Sequence, residues 1–220
     1  MLIICLIGQK RVGKDTVASI INKYDENFVM LALATPIKEI ARVMFNFSLK
    51  QLYDSEKDEI DSRYGIKPRD FFEQFGTQIM QYDIYKYLPA LEEKIPQRLF
   101  WVRNLINTID TIKTQNATNN KKCNQNKFII TDIRGLHELE EIKKYENNIF
   151  CIKIIRPDIN ITTTDNLSQD TQIEQHITQI EPGLIPDTHI DEVIINNGSI
   201  DELESKIVKI LAKLYSKKLI

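Results

Sequence analysis

The chain has 220 residues, 42% of them hydrophobic, and a formal net charge of -2. A core of that size stands without disulfides or a structural metal, and the near-neutral charge excludes the basic bias of a general nucleic-acid binder. Cys5, Cys123 and Cys151 form no C-x-x-C pair, so neither a zinc knuckle nor a redox motif is suggested, and reduced thiols are the expectation.

Leu2 to Ile7 is a continuous apolar run, as in a strand buried on both faces. It is too short for the apolar region of a signal peptide, and no stretch approaches a membrane span. A glycine loop follows, then Val17, Ala18, Ile20, Ile21 and Tyr24 at helical spacing. Phe28 to Ala34 reads as a second buried strand. Thr35-Pro36 opens a helix, threonine as cap and proline first, with Ile37, Ile40, Ala41, Met44 and Phe45 inward. From Ser48 to about Thr114 the pattern is helical. Its clearest part is PRDFFEQFGTQIMQ from Pro68, where a 100° step puts Phe71, Phe72, Phe75 and Ile79 on one side. Arg69, Asp70, Glu73, Gln74, Thr77 and Gln81 fall on the other, and periodicity alone makes that side a solvated face.

Residues 114–127 are polar and of low complexity, which predicts a surface loop. Phe128 to Thr131 is a third strand ending in Asp132, and Leu136, Leu139, Ile142 and Tyr145 mark the next helix. Ile149 to Ile155 is a fourth strand, closed by Arg156-Pro157. Residues 157–189 are polar and poorly periodic. Val193 to Ile195 is a short fifth strand, Asn196-Asn197-Gly198 a turn, and Ser199 with Glu202 a capping box for the last helix. Strands alternating with helices predict an α/β fold, a parallel five-stranded sheet with helices on both faces. Ligands of such sheets gather at the strands' carboxyl ends. The glycine loop, Asp132-Ile133-Arg134 and Arg156 all lie there.

In GQKRVGKDT, residues 8–16, Gly8, Gly13 and Lys14 fit the phosphate-loop spacing, and Asp15 stands where a hydroxyl is usual. Strand, loop and amphipathic helix come in the right order, so a chance glycine turn is the weaker reading. Backbone amides of Gly8, Lys10, Arg11, Val12, Gly13, Lys14, Asp15 and Thr16 would close around phosphate oxygens at a helix N-terminus. Lys14 would bridge the outer phosphates. Asp15 is either a hard oxygen ligand for magnesium or an acid favoured at a helix start, and both readings stand. Lys10 and Arg11 sit at the tip, where solvent is as good an account as phosphate. The three histidines lack ligand spacing, and Trp101 reads as packing.

The loop resembles that of the phage-type deoxynucleoside monophosphate kinases, whose ordinary form is Lys-Asp-Thr. Further stretches agree in order: ATPIKEIA at 34–41, KPRDFFEQFGTQ at 67–78, FIITDIRGLHELEEIKK at 128–144 and DEVIINNGSIDEL near the end. His137 stands where the family usually has Asn. A His-x-Ser-Glu stretch survives only as His176-Ile177-Thr178-Gln179. Residues 157–187 hold no Lys or Arg, so Arg156 alone is left at the root of a lid.

The resemblance implies a single P-loop kinase domain over 1–220, with a helical acceptor-binding region at about 48–114 and a lid at about 157–189. It implies transfer of the ATP γ-phosphate to a deoxynucleoside monophosphate such as dGMP or dTMP, with ATP and Mg2+ bound. Lys14, Arg69, Asp132, Arg134 and Arg156 would carry the chemistry. Asp15 and Asp132 would hold the metal. Arg69, Gln74, Thr77 and Arg134 would bind the acceptor, guanidinium matching phosphate oxygens in pairs. The partners implied are small molecules, with no nucleic acid and no membrane, and a homodimer left open. The location implied is cytoplasmic, that of the host for a viral protein. Phosphomevalonate and dephospho-coenzyme A kinases are the rivals of like chemistry, and a nucleotide-binding module without catalysis is another. Asn22-Lys23-Tyr24-Asp25 spells a GTPase base-reading motif but closes the first helix, where that motif does not belong.

Overall fold

A computed structural model describes residues 1–118, 126–157 and 177–216, and the chain forms two compact units. One is Met1–Leu31 with Ile109–Ile220, the other Ala32–Thr108. In chain order the elements begin with β1 (Leu2–Ile7), α1 (Lys14–Tyr24), β2 (Phe28–Leu31), α2 (Thr35–Phe45) and α3 (Leu49–Tyr53). Then come α4 (Pro68–Glu73), α5 (Ile84–Tyr87), α6 (Pro89–Glu92) and α7 (Phe100–Thr118). The chain continues through β3 (Lys127–Ile133), α8 (Leu136–Tyr145), β4 (Ile149–Ile155), α9 (Ile177–Leu184), β5 (Glu192–Ile195) and α10 (Ile200–Ser216).

The first unit holds the predicted parallel sheet of five strands, in the order β2-β3-β1-β4-β5. β1 lies at its centre and is buried along its whole length, which is why its sequence is apolar without alternation. Leu2, Ile4 and Leu6 pack in one cluster with Val17, Ala18 and Ile21 of α1 and Leu203, Ile207, Leu211 and Leu214 of α10. Burying each such side chain contributes about 1.5–3 kcal/mol, so this layer is a main source of stability. Cys5 faces the other way, within electrostatic reach of Lys143 on α8, so helices cover both faces. The order sets the carboxyl ends of β3, β1 and β4 side by side. It also makes β2 an edge strand. That strand stops at Leu31 rather than Ala34, and its Met30 is exposed.

The second unit is helical. Ala41, Phe47 and Leu52 form its buried centre, with Phe45, Ile66, Phe71 and Phe72 packed against it. Ring centroids lie 4.9 Å apart for Phe45–Phe71 and 5.0 Å for Phe71–Phe75. After α4 the helix widens to a π winding over Gln74–Asp83. Each turn then takes more residues than 3.6, so a 100° step no longer tracks the faces. Ile79, predicted inward, is 42% exposed, while Gly76 is buried. A Cβ on Gly76 would stand 2.7 Å from Ile37 Cδ1, and its carbonyl accepts from Trp101 Nε1 at 2.6 Å. Trp101 is therefore a packing residue, as its apolar neighbours suggest.

Smaller departures have local causes. Thr35 is the first helical residue and Ala34 the cap position, with no side-chain cap bond, so the helix starts one residue earlier than Thr-Pro indicates. Met44 belongs to the predicted inward face of α2 yet is exposed. α7 runs on to Thr118, into the predicted polar loop, and Thr108 and Thr114 bond back to carbonyls four residues earlier. The Ser199–Glu202 capping box forms as predicted, with both reciprocal bonds at 3.2 Å. The predicted lid falls mostly outside the described residues. Its described end consists of α9 and a short turn at Asp187–His189. No helix of the described residues is long and apolar enough to cross a membrane.

Candidate active site

The loop after β1 is shaped by its glycines. Gly8 has φ 155°, and a Cβ there would lie 2.6 Å from the Ile154 carbonyl oxygen of the neighbouring strand. Gly13 has φ 100° and caps α1. Between them Arg11 takes the left-handed region at φ 66°, a conformation that a non-glycine residue adopts at some cost. Lys14, Asp15 and Thr16 form the first turn of α1, where amides have no intrahelical acceptor. Lys14 Nζ donates to the carbonyl oxygens of Gly8 at 2.7 Å and Gln9 at 2.6 Å. Burial, then the Arg134 guanidinium, lowers its ammonium to about 8, against the raising influence of Asp132 and Asp15. Arg134, Asp132 and Asp15 thus all lie within electrostatic reach of Lys14. Asp15 and Thr16 are exposed, as are Lys10 and Arg11 at the tip.

Asp132 is half-buried and lies one residue inside the end of β3, next to the loop's own strand. Arg134, just beyond the strand, is exposed. Glu138 accepts from the backbone amides of Arg134 at 2.8 Å and Gly135 at 3.0 Å, capping α8 and tying down the turn that carries Arg134. Burial pushes the Glu138 carboxyl up to about 7, opposed by those two amides. His137 packs its ring over Gly135, where a Cβ would meet it at 2.2 Å. Arg156 is exposed at the end of β4.

The helical unit carries the other predicted residues. Arg69 is half-buried and clamps Asp58, with Nε on Oδ1 and Nη2 3.1 Å from Oδ2, and Glu73 lies 3.8 Å from Nη1. The paired carboxylate oxygens of Asp58 occupy the fork that a phosphate would use. Gln74 is exposed and Thr77 half-buried on the π-wound stretch. Asp58 went unnoticed in the sequence because it lies eleven residues from Arg69, in a short turn with no periodic signal.

In the sequence Asn196 marks only a turn. Its Nδ2 donates to the Val12 carbonyl oxygen at 2.9 Å, and its amide N–H to Ile155 O at 2.7 Å. The turn after β5 therefore grips the phosphate-type loop, a contact between residues 184 positions apart. Asp25 has no base-reading geometry. It is buried and bonded to Lys127 Nζ at 2.7 Å, Tyr215 Oη at 3.0 Å and Asn27, which removes the GTPase reading of Asn22 to Asp25. His176 and the side chains of Ile177 to Gln179 lie outside the described residues. Among the described residues no group of three or more His, Cys, Asp or Glu could cage a metal. Magnesium does not ask for one, since it keeps several waters and takes one or two carboxylates with phosphate oxygens.

No curated protein sequence matches the chain at a significant level. Among solved structures, dephospho-CoA kinase from Campylobacter jejuni is similar at 18% identity and a TM-score of 0.49, over 99% of this chain and 98% of that one. TT1252 from Thermus thermophilus is similar at 18% identity and a TM-score of 0.44, over 97% of each. Likenesses of that size do not bear on the chemistry. The profile of the deoxynucleotide monophosphate kinases matches residues 2–88 and 91–207. A match over nearly the whole length, on a chain whose first strand ends in a lysine-bearing phosphate-type loop, means that this protein belongs to the deoxynucleotide monophosphate kinase family, a family of phosphotransferases.

Proposed function

We propose that the chain moves the γ-phosphoryl group of ATP to the phosphate of a deoxynucleoside monophosphate, with the donor's phosphates in the loop from Gly8 to Thr16. The observation that carries this reading is the family match together with Lys14, held in that loop beside the charges of Asp132 and Arg134. In the reaction the bond from the γ-phosphorus to the ADP oxygen breaks as a bond from an acceptor phosphate oxygen forms. That oxygen is already anionic at neutral pH, so no general base is required. The work left to the protein is positioning and cancellation of negative charge.

The roles follow from that need. Lys14 exchanges its contacts with the Gly8 and Gln9 carbonyls for phosphate oxygens. Lys10, Arg11, Val12 and Gly13 line the loop, and the first turn of α1 adds amides and partial positive charge. Asp132 and Asp15 are the oxygen donors suited to Mg2+, which when bound with the nucleotide supplies further neutralisation of phosphate charge. Arg134 and Arg156, just beyond the ends of β3 and β4, the two strands that flank β1, offset charge on the transferring group. Arg69 takes the acceptor's phosphate in place of Asp58, and Gln74 and Thr77 contact its sugar or base.

A panel of deoxynucleoside and ribonucleoside monophosphates, incubated with ATP and Mg2+ and read by ADP and diphosphate formation, tests this. Conversion of at least one deoxynucleoside monophosphate is expected. Turnover of mevalonate 5-phosphate or dephospho-coenzyme A alone would replace the reading with one of its rivals. ATP binding with no transfer to any acceptor would point to a module without catalysis.

A further inference from the structure

We propose that Asn196 is a positioning residue that aims the Gly13 amide of the loop into the space for the donor phosphates. This rests on the reading of Gly8 to Thr16 as the ATP phosphate site. A peptide unit is planar and trans, so its carbonyl and its N–H point in opposite directions. Val12 O and Gly13 N–H belong to one such unit. Asn196 Nδ2 holds the carbonyl at 2.9 Å, so the Gly13 N–H is turned away from Asn196, leaving it available to a phosphate oxygen in the loop.

The approach is close, and the backbone conformation calls for glycine. A Cβ on Gly13 would stand 2.6 Å from Nδ2, in addition to the strain of φ 100°. Asn196 is itself fixed. Its backbone continues the β4–β5 ladder through Ile155 O, and Lys206 Nζ bonds the preceding carbonyl, Ile195 O, at 2.7 Å. The Ser199–Glu202 box then starts α10 immediately afterwards. A rigid turn thus delivers one donor to one loop carbonyl. Asparagine suits the task because its NH2 donates, while its isostere aspartate offers that carbonyl only oxygen.

The test compares the wild type with Asn196→Asp and Asn196→Ala. ATP binding is measured by calorimetry, and KM is measured separately for ATP and for the best acceptor. Both variants are expected to weaken ATP about ten-fold, the weight of one well-aligned hydrogen bond. The acceptor KM should stay within about two-fold and the melting temperature within a few degrees, since a turn contact adds little to the core. Equal ATP affinity in Asn196→Asp and wild type, or parallel changes in both KM values, would overturn the role. So would failure of both variants to fold, since Asn196 would then serve the fold as a whole. Absence of ATP binding by the wild type would instead remove the reading of the loop itself.

Discussion

Lys14 Nζ donates to the carbonyl oxygen of Gly8, the first glycine of its own loop, at 2.7 Å. The cation is thus held within its own loop, the proposed site of the donor phosphates, and burial has lowered its ammonium to about 8. Lys14→Ala should reduce kcat by about 10²- to 10³-fold, the usual effect of removing one preorganised donor to transferring charge. The melting temperature should not fall, because a charge held at a desolvation cost has been removed. Steady-state kinetics and thermal unfolding together check this. A large drop in melting temperature with modest kinetic loss would make Lys14 a loop brace.

Arg69 and Asp58 invite a paired experiment. Arg69→Ala should raise the acceptor KM far more than that for ATP, and equal effects on both would move Arg69 away from the acceptor. Asp58→Asn should lower the acceptor KM, because the phosphate then displaces a weaker partner from the guanidinium. An exposed ion pair contributes up to about 1 kcal/mol, so the gain is at most about five-fold. A rise in KM would show that Asp58 aims the arginine instead.

Glu138 should give stability a pH dependence of its own. Its folded carboxyl is raised to about 7 by burial, from an ordinary value of 4.5. Between those values the native state holds a proton that the unfolded state has lost, so this group's contribution falls as pH rises from about 4.5 to 7. Glu138→Gln keeps an acceptor for the Arg134 and Gly135 amides but cannot ionise. Its stability relative to wild type should therefore grow across that window and level off above it. Chemical denaturation at a series of pH values measures the difference, and a constant difference would contradict the assignment.

Asp25 and Lys127 are expected to matter for stability alone. Burial would raise the Asp25 carboxyl, but Lys127, Asn27 and Tyr215 hold it at about 2. Lys127 begins β3, at the end of the sheet away from the loop. Lys127→Met should destabilise the protein by about 1–3 kcal/mol, since it leaves a buried carboxylate with fewer partners. KM for both substrates should be unchanged, as measured on the folded fraction.

Some of this was legible in the residues alone. The glycine spacing, Lys14 and the apolar run before them specify strand, loop and helix through contacts between neighbours in the chain. The alternation of apolar runs with helical stripes likewise implies a parallel sheet, because parallel strands need crossovers. The spacing from Phe71 to Ile79 misled only at Ile79, because packing of Gly76 against Ile37 and Trp101 accompanies a wider winding that α-helical periodicity does not anticipate.

What residues 8–16 and the apolar runs determined by themselves was local: which segments form strands, where a phosphate loop closes, and which family the chain resembles. The tertiary structure alone decided that β1 is central and β2 an edge, that Asp58 fills the fork of Arg69, and that Asn196 grips Val12. Each of these depends on segments far apart in the chain meeting in space. Such meetings are chosen by burial and hydrogen-bond pairing across the whole fold, and they leave no periodic trace in any one stretch of sequence.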